Sequence, residues 1–335
     1  MTDEKNLKGA SVMKFTKKIP STAVAVAVSM LILCGISQNA YFLTIFVFCG
    51  IYIIAVSGLD VLFGYSGQIA LGHAMFYASG AYTSAILTVR LGVNPWLAIL
   101  AGLLVTTALA VVVALPASNL VHQFLALLTI AAGNMSYVFL CKATNITNAM
   151  KGIRSIPDLS IFGYSLHSKL SYAVFTFIMV LIFLFIKQRI INSSTGRAFL
   201  AIRENTVAAG GMGINVRKYK IMAFVISALF TSFAGSMYTH FVRYISPETF
   251  NSQQSVLLMT MLLFGGMGNP VGPILGSVVI AILNESLQSF NTYKTLIYGI
   301  LIMIAVLFMP RGCYGLAGDL VAKGKKFAGK LVKKC

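Results

Sequence analysis

Charge is scarce in this sequence. Only 10% of its 335 residues are charged, against roughly 25% in soluble domains, and just eight are acidic. Such a chain cannot clothe a soluble fold, because 58% of it is hydrophobic and its mean hydropathy is +0.85. Cysteine is scarce too. The five, at positions 34, 49, 141, 313 and 335, show no paired spacing, which excludes a disulfide-stapled secreted scaffold. Enzymatic constellations are nearly absent. His73, His122, His167 and His240 fall on different segments without metal-ligand spacing, and neither G-x-S-x-G nor H-E-x-x-H occurs, so an intramembrane hydrolase has no support. Gly324–Leu331 matches G-x4-G-K but carries Leu331 where a P-loop places Ser or Thr for magnesium. It reads as a basic tail lying against anionic lipid. The chain is expected to be no enzyme, with no metal site and no cofactor of its own.

What is present is a series of apolar runs near 20–38, 40–58, 73–90, 95–117, 118–141, 170–187, 221–243, 253–266, 272–289 and 292–309. At ~20 residues per crossing, they imply an all-α integral membrane protein, a polytopic bundle of about eight to ten transmembrane helices. The first run reads as an uncleaved span rather than a signal peptide, since no small-residue cleavage site stands out. The net charge of +18 is concentrated: 19 of 26 basic residues lie before the first span, from Lys187 to Lys220, or from Arg311 onward. The positive-inside rule puts these three clusters in the cytoplasm. The expected plan is a basic N-terminus (1–19), a membrane domain (20–310) and a basic tail (311–335), with both termini cytoplasmic. Within the domain lie an outer loop (142–169) and a cytoplasmic loop (188–220). The outer loop fits least well, with four basic residues against Asp158 alone. No basic face interleaved with aromatics suggests nucleic acid.

Two stretches interrupt the apolar pattern with glycine. Gly64, Ser66, Gly67, Gln68, Gly72 and His73 belong to the first; Gly265, Gly266, Gly268, Pro270, Gly272 and Pro273 belong to the second. Both begin Leu-Phe-Gly-x-x-Gly, and both run on into an apolar helix. Glycine costs ~1 kcal/mol and proline ~3 kcal/mol in a helix interior, so neither is a plain span. Matching broken segments in two halves of a transporter point to its translocation pathway. The plainer alternative is that small residues let helices pack closely. Among the acids, Glu285 is expected inside a span and so joins the pathway candidates, whereas Asp60 is placed near the interface.

The central loop from Ser193 to Ala209 reads as a short capped amphipathic helix. Phe199, Ile202 and Thr206 are expected on one face, with Arg197 and Arg203 projecting elsewhere, and Gly210–Gly213 ends it. Such a helix lies on lipid or docks in a partner's groove.

Several runs, in order, resemble the permease subunits of branched-chain amino-acid ABC importers. They are Gly64–Phe76 with Gly80-Ala81-Tyr82, the central loop, and the set Ser246-Pro247, Phe250, Ser255, Gly265–Gly268, Gly272-Pro273 and Gly276. The likeness runs from about Leu59 to Pro310 and is nearer the M-type of the two permeases through Ala201–Asn205. Thr147-Asn148, Gly152-Ile153 and Ile156-Pro157 add a weaker match in the outer loop. The resemblance implies a subunit of the cytoplasmic membrane, embedded in lipid, that pairs with a second permease and two P-loop ATPase subunits. ATP and magnesium would be held by those partners, and solute would come from an extracytoplasmic binding protein. It implies that Gly196, Arg197, Ala201, Ile202, Arg203, Glu204, Asn205, Ala208 and Ala209 couple the chain to the ATPases. The chain departs from the family pattern at Asn134, at Val121–Phe124 and at Gly210-Gly211. A sugar-type ABC permease is a further alternative. The leading alternative is a stand-alone channel or ion-coupled carrier; it would transport without an ATPase and depend on Asp60 or Glu285.

Overall fold

A computed structural model describes residues 40–118, 122–161 and 164–286, with positions 296, 297, 299, 300 and 303. The expected spans at 20–38 and 292–309, both termini, the Gly324–Leu331 motif and Cys335 lie outside this description or are barely touched by it. Two compact units divide the chain at Leu43 and Thr44. The first holds only the opening turn of one helix among the described residues, and the second holds all the rest.

The apolar runs become helices close to their expected bounds: α1 (Ala40–Asp60), α2 (Ala74–Arg90), α3 (Pro95–Ala117), α4 (His122–Lys142), α5 (Lys169–Asn192), α8 (Val216–Val242), α9 (Ser252–Gly265) and α10 (Gly272–Ser286). Local chemistry sets several ends. Asn94 accepts from the Trp96 N–H ahead of Pro95, and Asn251 accepts from the Gln254 N–H ahead of α9, each satisfying an orphan donor of the first turn. Among the described residues, five helical stretches are long and apolar enough to cross a membrane. The protein is thus an all-α polytopic membrane protein, and the strands among its described residues are three short pieces between α4 and α5 and one after α8.

The centre is built on small residues. A side chain at Gly80 of α2 would run into the Ser232 carbonyl of α8, and one at Gly235 of α8 into the Tyr77 carbonyl of α2. The two backbones therefore touch at reciprocal glycines, the close approach favoured where lipid offers no hydrophobic drive for helix pairing. Hydroxyls stitch α3 onto the pair: Thr106 Oγ1 bonds Ser232 Oγ at 2.8 Å and Ser79 Oγ at 2.6 Å. Phe250, in the turn before α9, is buried against Tyr77, Tyr82 and Tyr238.

The loop between α4 and α5 is held down by pairing. Strand β1 (Ile153–Arg154) pairs antiparallel with β4 (Tyr244–Ile245), while β2 (Ser160–Ile161) pairs with β3 (Tyr164–Ser165). His240 bridges Ser84 Oγ at 2.7 Å and the Pro157 carbonyl at 2.8 Å. Asp158, the lone acid of this loop, takes an ion pair from Arg243 and a contact from His167 at 2.8 Å.

Candidate functional site

The first glycine stretch leaves α1 through a π-helical turn, Val61–Tyr65, and continues as irregular backbone to His73. A π turn widens the ring and releases backbone groups, and this stretch re-satisfies them with its own side chains. Ser66 Oγ donates to the Leu62 carbonyl at 2.8 Å. Gln68 Nε2 donates to Ser66 Oγ at 2.9 Å and to the Lys220 carbonyl of α8 at 3.2 Å. Gly67 has φ +71°, a left-handed backbone that any other residue adopts only with strain. Gly72 lies against the Thr129 carbonyl of α4, and His73, fully buried, meets Ser227 Oγ at 2.8 Å.

The second stretch is a tight reversal between α9 and α10. Side chains at Gly265, Gly272 or Gly276 would collide with backbone across the turn, so here close packing and a broken span are the same feature. Gly266 and Gly268 have φ of +105° and +74°. Pro270 is exposed at the tip, and Pro273 is buried in the first turn of α10.

Asp60 joins the two stretches. Expected near the membrane interface, it is 0% exposed at the end of α1, enclosed by protein. Oδ2 receives Lys187 Nζ at 2.8 Å, and Oδ1 accepts the Gly268 N–H at 2.8 Å. Lys187 is itself 1% exposed, with its ammonium 6.0 Å from the centre of the Tyr65 ring. It belongs to α5, which runs one turn beyond its expected end. The basic cluster counted as cytoplasmic loop thus contributes a buried cation. The signal was present as one acid at the end of one span and one lysine at the end of another, but pairing across 127 positions is invisible along the chain.

The central segment differs from the single helix expected. It forms α6 (Ser194–Glu204) and α7 (Thr206–Gly211), separated by Asn205 in an extended conformation. The Asn205 side chain accepts from the Val207 and Ala208 N–H groups, so the residue starts a second helix instead of continuing the first. Phe199 and Ile202 are buried as expected, with Gly196 and Ala198 beside them. Thr206 does not extend that face, and Ala209 is the buried residue of α7. Arg197, Glu204, Asn205 and Ala208 are exposed, and Ala201 is half-buried. Phe199 sits in one cluster with Val61, Leu62 and Tyr65 of the π turn and with Phe224 of α8. Arg203 does not simply project away: its guanidinium donates to the Gly64 carbonyl and lies against Gly268, while its aliphatic stem lies against Gly67. The end of α6, both glycine stretches and the Asp60–Lys187 pair therefore meet in one place.

Glu285 is elsewhere. It is half-buried, not fully enclosed, in the last turn of α10, and lines a cavity of about 130 Å³ with residues of α1 and α8. Among the described residues, no three His, Cys, Asp or Glu side chains gather as metal ligands.

Residues 41–306 match the family model described as branched-chain amino acid transport system / permease component. The chain belongs to this family. It is 31% identical over 285 residues to the high-affinity branched-chain amino acid transport system permease protein LivM of Escherichia coli K12, covering 78% of this chain and 67% of that protein. Identity to the E. coli permease LivH is 24%, covering 79% of this chain and 91% of the relative. A probable LivM of Methanocaldococcus jannaschii is 25% identical, covering 77% and 81%. No solved structure matches significantly. As a permease of this family, the protein is a multi-pass membrane subunit of a transporter that includes other subunits. Several residues that carried the likeness have structural work in it: Ser255 Oγ accepts the Ala74 N–H that opens α2, and Phe250 fills the aromatic cluster. Asn134, a departure from the family pattern, accepts a hydrogen bond from Ser252.

Proposed function

We propose that this chain is one of two transmembrane permeases of an ABC importer for branched-chain amino acids, the solutes named for its relatives. It works with two P-loop ATPase subunits that hold ATP and magnesium, and with an extracytoplasmic binding protein that delivers solute. It lies in lipid of the cytoplasmic membrane with both termini inside. The observation that carries this reading is the bond from Arg203 to the Gly64 carbonyl. A helix whose outer residues are exposed is thereby fastened at its far end to irregular membrane backbone.

The roles follow from that contact. Arg197, Glu204 and Ala208 present α6 and α7 to an ATPase, while Gly196, Ala201, Ile202, Asn205 and Ala209 hold the two helices in shape. Arg203 passes their movement to Gly64 and Gly268. A lever needs rigidity at its fulcrum, and the buried Asp60–Lys187 pair provides it. Gly64, Ser66, Gly67, Gln68, Gly72 and His73, with the Gly265–Pro273 turn, are the backbone that rearranges as the pathway opens to alternate sides.

The test is a mild-detergent pull-down of the tagged chain, with companions identified by mass, and solute uptake by the reconstituted complex. A P-loop ATPase and a second permease should copurify with wild type. Arg197→Glu should lose the ATPase while remaining monodisperse, and Arg203→Ala should keep the ATPase but lose ATP-driven uptake. A wild-type chain that purifies alone and transports without ATPase would overturn the proposal in favour of a stand-alone carrier.

A further inference from the structure

Only seven of the 24 residues of α5 are buried, so most of this helix faces outward. Its first half carries a furrow of about 320 Å³, lined by Leu166, Leu170, Ser171, Val174, Phe175 and Ile178. Leu166 and Phe175 are the buried floor, and Leu170, Val174 and Ile178 form an exposed rim. The rim residues recur every four positions and therefore stand in one row along the helix. From Leu170 to Ile178 that row measures about 12 Å at 1.5 Å per residue. One leaflet of the ~30 Å hydrocarbon core is about 15 Å deep. The furrow thus has the length over which the acyl tails of a single leaflet run.

Two residues mark the headgroup level at its mouth. Trp96 packs edge-to-face with Phe175 at 5.8 Å and donates its indole N–H to the Ser160 carbonyl at 2.6 Å. An apolar ring with a satisfied polar tip settles at the membrane–water boundary. Lys169 opens α5 beside Leu170 and is exposed. Its ammonium donates to Thr44 Oγ1, a neutral acceptor, at 3.2 Å, and no ion pair among the described residues engages it. An ammonium has three donors, so two remain and the charge is uncompensated. The arginines at this end of the bundle are engaged otherwise. Arg243 pairs with Asp158, Arg90 bonds Asn145 and Asn148, and Arg154 lies over the Tyr244 ring.

We propose that this furrow is a binding site for an anionic phospholipid, with one acyl tail along Leu170, Val174 and Ile178 and the phosphate on Lys169. An apolar trough alone would take the tail of any lipid. The unpaired ammonium at its mouth selects a headgroup of net negative charge, because a zwitterionic headgroup brings its own cation to the phosphate. Ser171, half-buried in the wall, adds a hydroxyl at the depth of the glycerol esters. The inference needs neither the ATPases nor the identity of the solute, only that α5 spans the membrane.

The experiment uses the full chain, with whatever companions it carries, purified in mild detergent and mixed with phosphatidylglycerol or phosphatidylcholine. Native mass spectrometry reads the fraction of protein that retains each lipid. Wild type should retain phosphatidylglycerol about fivefold better, the effect of one lysine beside anionic lipid. Lys169→Gln, whose amide can still donate to Thr44, should lose that advantage and leave phosphatidylcholine unchanged, and Lys169→Arg should restore it. Val174→Trp fills the furrow from its exposed rim without touching charge and should lower retention of both lipids while the protein stays monodisperse. Lys142→Gln removes another exposed charge, at the end of α4, and should change nothing. Equal retention of the two lipids by wild type would overturn the site. So would equal losses in Lys142→Gln and Lys169→Gln, the mark of diffuse surface attraction. Full retention in Val174→Trp would place the lipid elsewhere, and retention of neither lipid by wild type would show the furrow to be covered by protein instead.

Discussion

Replacing Lys187 by methionine keeps most of its aliphatic stem and removes the ammonium. Asp60 would then remain fully buried with the Gly268 N–H as its one other hydrogen-bond donor among the described residues. Stripping one partner from a buried pair typically costs ~3–5 kcal/mol, a large part of the roughly 5–15 kcal/mol that holds a domain together. Lys187→Met should therefore aggregate at clearly lower temperature than wild type when heated in detergent and followed by fluorescence-detected size exclusion. Asp60→Asn should be milder, since the ammonium it strands still faces the Tyr65 ring 6.0 Å away. The double variant Asp60→Asn/Lys187→Met buries no charge, and the new amide oxygen can accept from Gly268. It should recover about 2 kcal/mol or more relative to Lys187→Met. A double variant no more stable than the worse single, or a Lys187→Met protein as stable as wild type, would refute the claim that this pair clamps the junction. The cycle also separates two effects on transport. If the pair is a fulcrum, the stable double variant should assemble fully yet import slowly, because its junction no longer resists the pull of Arg203.

Two further outcomes are expected. Gly80→Val forces carbon into the Ser232 carbonyl where α2 and α8 touch, an overpacking worth about 1–3 kcal/mol or more; Gly210→Ala, which meets nothing within 4 Å, should be neutral or slightly stabilising in the same heating assay, and equal behaviour of the two would sink the account of the helix crossing. Asn205→Ala removes the cap of α7, about 1 kcal/mol, so amide exchange over 206–211 should quicken several-fold while the global unfolding temperature barely moves; unchanged exchange there would show that α7 does not depend on its cap.

Much of the architecture is legible without coordinates, for simple reasons. Apolar runs long enough to span a membrane leave few alternatives to helices, because lipid offers no partner for open backbone. The runs expected to begin at 95 and 253 start within a residue of the helices at Pro95 and Ser252. Phe199 and Ile202, three residues apart, had to share a face of a helix. The break at Asn205 was harder to see. Asparagine is acceptable inside a helix on a polar surface, and only the bonds from Val207 and Ala208 to its side chain show that it ends one helix and begins the next. The two acids were ranked in the wrong order for a similar reason. Glu285 lies inside an apolar run and Asp60 at the edge of one, so hydropathy favours Glu285 as the enclosed residue. Burial depends on what packs around an end, and α5 delivers Lys187 to Asp60.

The linear sequence, then, determined that this protein lives in a membrane as a helical bundle, where its described apolar helices lie, which two runs break at glycine and which polar segment stands between. Those are local matters of hydropathy, glycine content and capping, readable within about twenty residues. Only the tertiary structure decided that the breaks and the polar segment form one junction. Asp60, Lys187, Arg203, Gly64 and Gly268 meet across as many as 208 positions of chain, and a contact of that kind exists only after packing has chosen which helix ends lie together.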